Sequence, residues 1–147
     1  MKIYSITKIN ESMQKEIDSL LHELSSTLGK TDRERVNSLI QNGGLILFAA
    51  ENQDGEIAGI LTLTHCETLT STKFWIEDVV VSDRFRGQGI GRALVKTAVQ
   101  HVDNIPTQHS LYLTSNPSRI AARSLYRSEG FEEYETGVFR ILSSSKC

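Results

Sequence analysis

The chain has 147 residues, with 16 Lys and Arg against 18 Asp and Glu and a net charge of −2. That is one domain, residues 1–147, and its near-neutral charge excludes a general nucleic-acid binder. Its 39% hydrophobic and 23% charged residues exclude a disordered chain, and two cysteines, Cys66 and Cys147, are too few for a disulfide scaffold or a four-thiolate zinc site. The longest apolar run, Leu45 to Ala50, is too short to span a bilayer. Met1 to Asn10 lacks an apolar signal core, so a cytoplasmic setting without membrane attachment is expected.

Met1 to Ile9 alternates as a first strand. Asn10 caps a helix whose apolar face runs from Met13 through Ile17, Leu20 and Leu24 to Leu28, with Gly29 as the stop. Thr31 and Glu34 form a capping box for a second helix carrying Val36, Leu39 and Ile40. Leu45–Glu51 and Glu56–Cys66 read as a hairpin turning at Asp54-Gly55. After a polar loop, Phe74 to Val81 is β-branched and aromatic, a buried strand.

Ile90, Leu94, Ala98 and Val102 mark a helix that Pro106 ends. Ser110 to Thr114 is a further strand. Asn116-Pro117 offers an N-cap and a first-turn proline for a last helix carrying Ile120, Ala121, Leu125 and Tyr126 and closing at Gly130. Phe131–Thr136 and Val138–Leu142 read as a closing hairpin around Gly137. The predicted order is β-α-α-β-β-β-α-β-α-β-β.

The informative feature is Arg86-Gly87-Gln88-Gly89-Ile90-Gly91, between a buried strand and an amphipathic helix. A helix start leaves backbone N–H groups unpaired and carries partial positive charge. Glycines let a phosphate approach that backbone. Arg84, Arg86 and Arg92 add full positive charge around it. A pyrophosphate is the natural guest; a glycine turn without a ligand is the plain alternative. The spacing fits neither the dinucleotide fingerprint nor the P-loop, since Arg92 stands where the former needs its last glycine and no Gly-Lys-Ser/Thr follows.

At these residues the chain resembles the GNAT superfamily of acetyl-CoA-dependent amine N-acetyltransferases. Arg86, Gly89 and Gly91 match its first signature, after the strand Ile76 to Val81. Leu125-Tyr126 and Gly130-Phe131 match its second. The resemblance implies an α/β (α+β) fold: a mixed, twisted, mostly antiparallel sheet of about seven strands flanked by about four helices, with strands four and five splayed. It implies acetyl-CoA as co-substrate and no metal. The pantetheine arm would pair with Val79, Val80 and Val81. The pyrophosphate would sit on Gly87, Gln88, Gly89, Ile90, Gly91 and Arg92, with Arg86, Asn116, Arg119, Ala122 and Tyr126 also beside the cofactor.

One position departs from the family. Where many members carry Asn seven residues before the Tyr, this chain has Arg119, and Asn116 lies three residues earlier. Arg119, Arg123 and Arg127 share a helix face, either a solvated stripe or a contact to CoA phosphates.

Acetyl transfer to an amine needs a base for the ammonium, a donor for the oxyanion and an acid for the thiolate. Tyr126 is the candidate acid, with core packing as its alternative. Glu77 is the candidate base; a structural ion pair or a water relay are the alternatives. Strict alternation sets Glu77 on one face with Trp75 and Val79, and Asp78 on the other with Ile76 and Val80, so one of the two acids reaches a given pocket unless a bulge intervenes. Trp75, Glu77 and Asp78 are the candidate acceptor residues. The resulting expectation is a small-molecule primary-amine N-acetyltransferase working by direct attack. A protein N-terminal or lysine acetyltransferase and a non-catalytic acetyl-CoA-binding module are the alternatives. Homodimerisation through the hairpin edge is left open.

Overall fold

A computed structural model describes residues 1–143. The elements run β1 (Lys2–Ser5), α1 (Glu11–Leu24), α2 (Arg33–Gln41), β2 (Leu45–Glu51), β3 (Ile57–Glu67), β4 (Thr72–Val81), a 3-10 turn (Asp83–Phe85), α3 (Ile90–Asp103), β5 (His109–Leu113) and α4 (Ile120–Ser128). The strands lie in that same order across one sheet. β1 to β4 pair antiparallel, and β5 joins β4 in parallel.

The sheet carries an apolar core on each face. One core joins Phe74 and Ile76 of β4 to Ile90, Leu94, Val95, Ala98 and Val102 of α3 and to Tyr126 of α4. The other joins Val80 and Ile60 to Ile17 and Leu20 of α1, with Val36 and Ile40 of α2 packed against it. Helical spacing of apolar residues on α1 and α3 creates these stripes, and burying them drives the layering.

Several expected boundaries move. β1 stops at Ser5, and Ile9 is instead held off the sheet by Asn37, whose Oδ1 accepts from the Ile9 amide at 2.7 Å and whose Nδ2 donates back to the Ile9 carbonyl at 3.1 Å. Asn10 caps α1 as read, accepting from the Met13 amide at 2.9 Å. α1 ends at Leu24 rather than Leu28, because Ser25 and Thr27 bond each other locally at 2.9 Å in place of continuing the helix. The cap of α2 is Asp32, not Thr31. Asp32 accepts from the amides of Glu34 and Arg35, while Thr31 turns to Asp18. Asn116 accepts from the Ser118 amide and hydroxyl in a turn of its own, so α4 starts only after Arg119.

The largest correction concerns the sheet. It has five strands among the described residues, not about seven: Phe131–Thr136 and Val138–Leu142 form no hairpin. Phe131 packs against the α3-side core, but Tyr134, Val138, Phe139, Ile141 and Leu142 are all exposed, so the chain beyond it finds no apolar face to bury. A two-stranded hairpin without such a face is marginal in water.

α3 reaches the sheet closely at Gly59. A Cβ there would meet the Val80 carbonyl oxygen at 3.1 Å, Ile90 Cγ2 at 3.2 Å and Leu94 Cδ1 at 3.3 Å. We expect Gly59→Ala to destabilise the fold by about 1–3 kcal/mol through overpacking, read by urea denaturation. An unchanged midpoint would mean that α3 has slack against β3.

Candidate active site

The site begins with an irregularity in β4. Ile60 pairs with Val80, yet Thr62 pairs with Glu77, so β4 holds one more residue than β3 between these points. Asp78 is at φ 51°, the one non-glycine residue with positive φ among those described. This is a bulge, and Asp tolerates its left-handed backbone better than most residues.

The bulge reverses the alternation. Phe74 and Ile76 face α3, and beyond the bulge Val79 and Val81 face it too, whereas Val80 turns to the α1 side. The expected grouping of Glu77 with Val79 and of Asp78 with Val80 is therefore corrected. Glu77 and Trp75 lie opposite Phe74 and Ile76. Both acids are exposed, side by side.

The second irregularity is the parting of β4 and β5. Their register runs from Thr72↔His109 to Ile76↔Leu113 and stops. From Glu77 onward, the β5 side of β4 is free. A cleft of about 890 Å³ opens there. It is lined by Val79, Val80 and Val81, by Arg86, Gly87, Gly89, Ile90, Gly91 and Arg92 at the start of α3, and by Arg119, Ala122 and Tyr126 of the α4 region. Sequence reading missed Glu23 and Leu24 at the end of α1, together with Phe85, Val95, Ser118, Ile120, Ala121 and Leu125. α1 carries no local signal for this position; only packing brings its end to β4. Gln88, Asn116, Trp75, Glu77 and Asp78 lie outside the cleft lining.

The glycine turn forms a cradle. Gly87 and Gly89 sit at φ 78° and 79° with open space where a Cβ would stand. Among the described residues, the consecutive amides from Gly87 to Arg92 have no hydrogen-bond acceptor outside regular helix bonding; the first amide satisfied by the turn is that of Ala93, bonding Gly89 O at 3.0 Å. Such a row at a helix N-terminus fits a pyrophosphate.

The arginines divide unequally. Arg92 bonds Ser128 Oγ at 2.7 Å and pairs with Glu129, and Arg84 pairs with Glu56, so the charge expected from both is offset. Arg86 pairs with Asp83 at 2.7 Å. Arg123 and Arg127 both bind Glu133. Arg119, which lines the cleft, has no ion-pair partner among the described residues.

Two of the candidate groups have shifted proton affinities. Burial, with a smaller push from the neighbouring Asp78 charge, raises the Glu77 carboxyl above the usual carboxylate range. Burial raises the Tyr126 phenol, against a smaller lowering by Arg119. Tyr126 packs edge-on against Phe131, 6.1 Å between centroids, and lines the cleft from the α3 side of the sheet. Glu77 and Tyr126 thus belong to opposite faces of the sheet, and Tyr126 alone of the two lines the cleft.

A mixed sheet parting beside a glycine-capped helix start is the architecture of an acyl-CoA-type transferase site. The model of the Acetyltransferase (GNAT) family matches residues 11–131, and the chain belongs to that family. Family membership brings acetyl-CoA as the co-substrate, and the unpaired amides and cleft described above fit its pyrophosphate and arm. Among curated proteins, the chain is similar to a spermine/spermidine N(1)-acetyltransferase of Bacillus subtilis (strain 168), at 27% identity over 60 residues. That match covers 41% of this chain and 40% of the enzyme.

Two solved structures share the fold. Glucosamine-6-phosphate N-acetyltransferase from Arabidopsis thaliana has a TM-score of 0.80 at 21% identity, covering 97% of this chain and 98% of its own. An aminoglycoside acetyltransferase from an uncultured soil metagenomic sample has a TM-score of 0.80 at 20% identity, covering 97% and 96%. No helix among the described residues is long and apolar enough to cross a membrane.

Gly89→Glu is expected to abolish CoA binding by calorimetry, since it sets a carboxylate at the anion cradle. Gly89→Ala separates this from backbone strain: it should cost about 1–2 kcal/mol of stability while retaining measurable binding. Undiminished affinity in Gly89→Glu would remove the cradle from the cofactor site.

Proposed function

We propose that this chain transfers the acetyl group of acetyl-CoA directly to the primary amine of a small molecule, without a covalent enzyme intermediate. The observation that carries the reading is the parting of β4 from β5 just where two candidate groups stand, the Glu77 carboxyl at the bulge on one face of the sheet and the Tyr126 phenol lining the cleft on the other.

Acetyl-CoA supplies an activated thioester when bound. The amides of residues 87–92 hold its pyrophosphate, and Arg119 adds a cleft arginine without an ion-pair partner among the described residues. The free side of Val79 to Val81 offers backbone groups to the pantetheine arm. Glu77 accepts a proton from the acceptor ammonium; desolvation and the Asp78 charge raise its proton affinity, which suits that task. Asp78 adds negative charge beside it, attracting a cationic acceptor. Tyr126, a phenol that burial makes a still weaker acid, donates its proton to the departing thiolate. Gln88 contributes its backbone amide to the cradle, Asn116 lies outside the cleft lining, and Ala122 contributes wall. The proposed setting is cytoplasmic.

The open face around Glu77 and Asp78 also favours a second reading, in which the amine belongs to a protein N-terminus or a lysine. A peptide panel beside a small-amine panel, followed by thiol release from acetyl-CoA, separates the two. Binding of acetyl-CoA without turnover of any amine would leave the non-catalytic module.

Tyr126→Phe should lower kcat by roughly 10²-fold or more, the scale of lost general acid catalysis, with little change in acetyl-CoA affinity. A wild-type rate would remove Tyr126 from the mechanism. The base must be ionised to act, so kcat/KM should rise with pH through the Glu77 value, at a midpoint above that of an ordinary carboxylate. Glu77→Gln should erase this limb. Asp78→Asn, which removes the like charge and suits the left-handed backbone, should move it to lower pH. A limb that ignores both changes points to a water relay.

A further inference from the structure

We propose that Lys73, Trp75 and Tyr112 form a wall that selects an acceptor with a single positive charge and an apolar, ring-bearing body, and rejects polyamines. The inference rests on the reading of Glu77 and Asp78 as the end that receives the ammonium.

Along β4, Lys73, Trp75 and Glu77 share one face, because alternation is unbroken until the bulge. Tyr112 stands opposite Trp75 on β5. Their rings stack at 4.9 Å between centroids, 27° apart. The Lys73 ammonium lies over the Tyr112 ring at 5.8 Å, and Tyr134 adds an exposed ring 6.1 Å from Tyr112. This face therefore reads, in order, carboxylates, aromatic wall, cation.

An acceptor with its ammonium at Glu77 must lay the rest of its body along Trp75 and Tyr112. Four residues of strand separate Glu77 from Lys73, roughly 13 Å between backbones at the usual rise. The lysine side chain leans back over Tyr112 and shortens that span. A second ammonium on an extended diamine meets Lys73 as a like charge, which is a repulsive element against that class. An apolar ring meets two half-buried aromatic side chains.

The test compares 2-phenylethylamine with 1,5-diaminopentane in the thiol-release assay, using wild type and Lys73→Glu. Wild type should favour the phenyl compound. Lys73→Glu should shift the kcat/KM ratio toward the diamine by roughly tenfold, the effect of about one well-placed charge. Trp75 is the only tryptophan, so its emission reports the wall without turnover; 2-phenylethylamine should change it saturably with CoA present. A wild-type preference for the diamine that Lys73→Glu leaves unmoved overturns the wall while amine acetylation stands. Silence with every amine overturns the proposed function instead. The Trp75 titration then decides the wall alone: a saturable change supports it and a flat response overturns it.

Discussion

β4 leads two lives along its length. Up to Ile76 it is an ordinary internal strand, paired to β3 on one side and β5 on the other. From Glu77 it keeps β3 and loses β5. Backbone groups on that free side cannot stay dry and unpaired at low cost, so the parting is stable only as the wall of a cleft. The candidate site is arranged around this break: the cradle at the start of α3, Tyr126 from α4, and the acids of the bulge.

The bulge and the parting meet at the same residues, and each adds something different. The parting opens a passage between the faces of the sheet. The bulge reverses which residues face which way, so that Val79 and Val81 join the α3 core while Glu77 keeps company with Trp75 on the far face. A carboxyl at this point is partly desolvated and sits beside a second acid, and both effects raise its proton affinity. The two candidate groups, Glu77 and Tyr126, therefore belong to opposite faces of one sheet.

Charge is handled economically near the cleft. Glu129 and Ser128 hold Arg92, Asp83 holds Arg86, and Glu133 holds Arg123 and Arg127. These pairs tie the start of α3 to the end of α4, and α4 to the chain beyond it. Surface pairs of this kind contribute little to stability, but they orient the helix termini that form the cleft. Arg119 is left as the cleft's cation without such a partner among the described residues.

The sequence by itself determined the local events. Glycines at 87 and 89 meet a left-handed backbone requirement, apolar spacing marks α1 and α3, and Asn10 finds its amide three residues on. Each depends on neighbours within a few positions, and so was legible. It also carried the family, because the two glycine- and tyrosine-bearing signatures are local strings. The tertiary structure alone decided the rest. The bulge at Asp78 is invisible to alternation, since it is a mismatch between two strands rather than a property of one. Glu23 and Leu24 reach the cleft through helix packing across many residues. The pairing of arginines with Glu129 and Glu133 brings together residues whose charges look equal along the chain. Phe131 to Leu142 has strand-forming residues, yet only Phe131 packs on the core, while Tyr134, Val138, Phe139, Ile141 and Leu142 stay exposed; whether such a run pairs is decided by the surface it meets and not by its own residues.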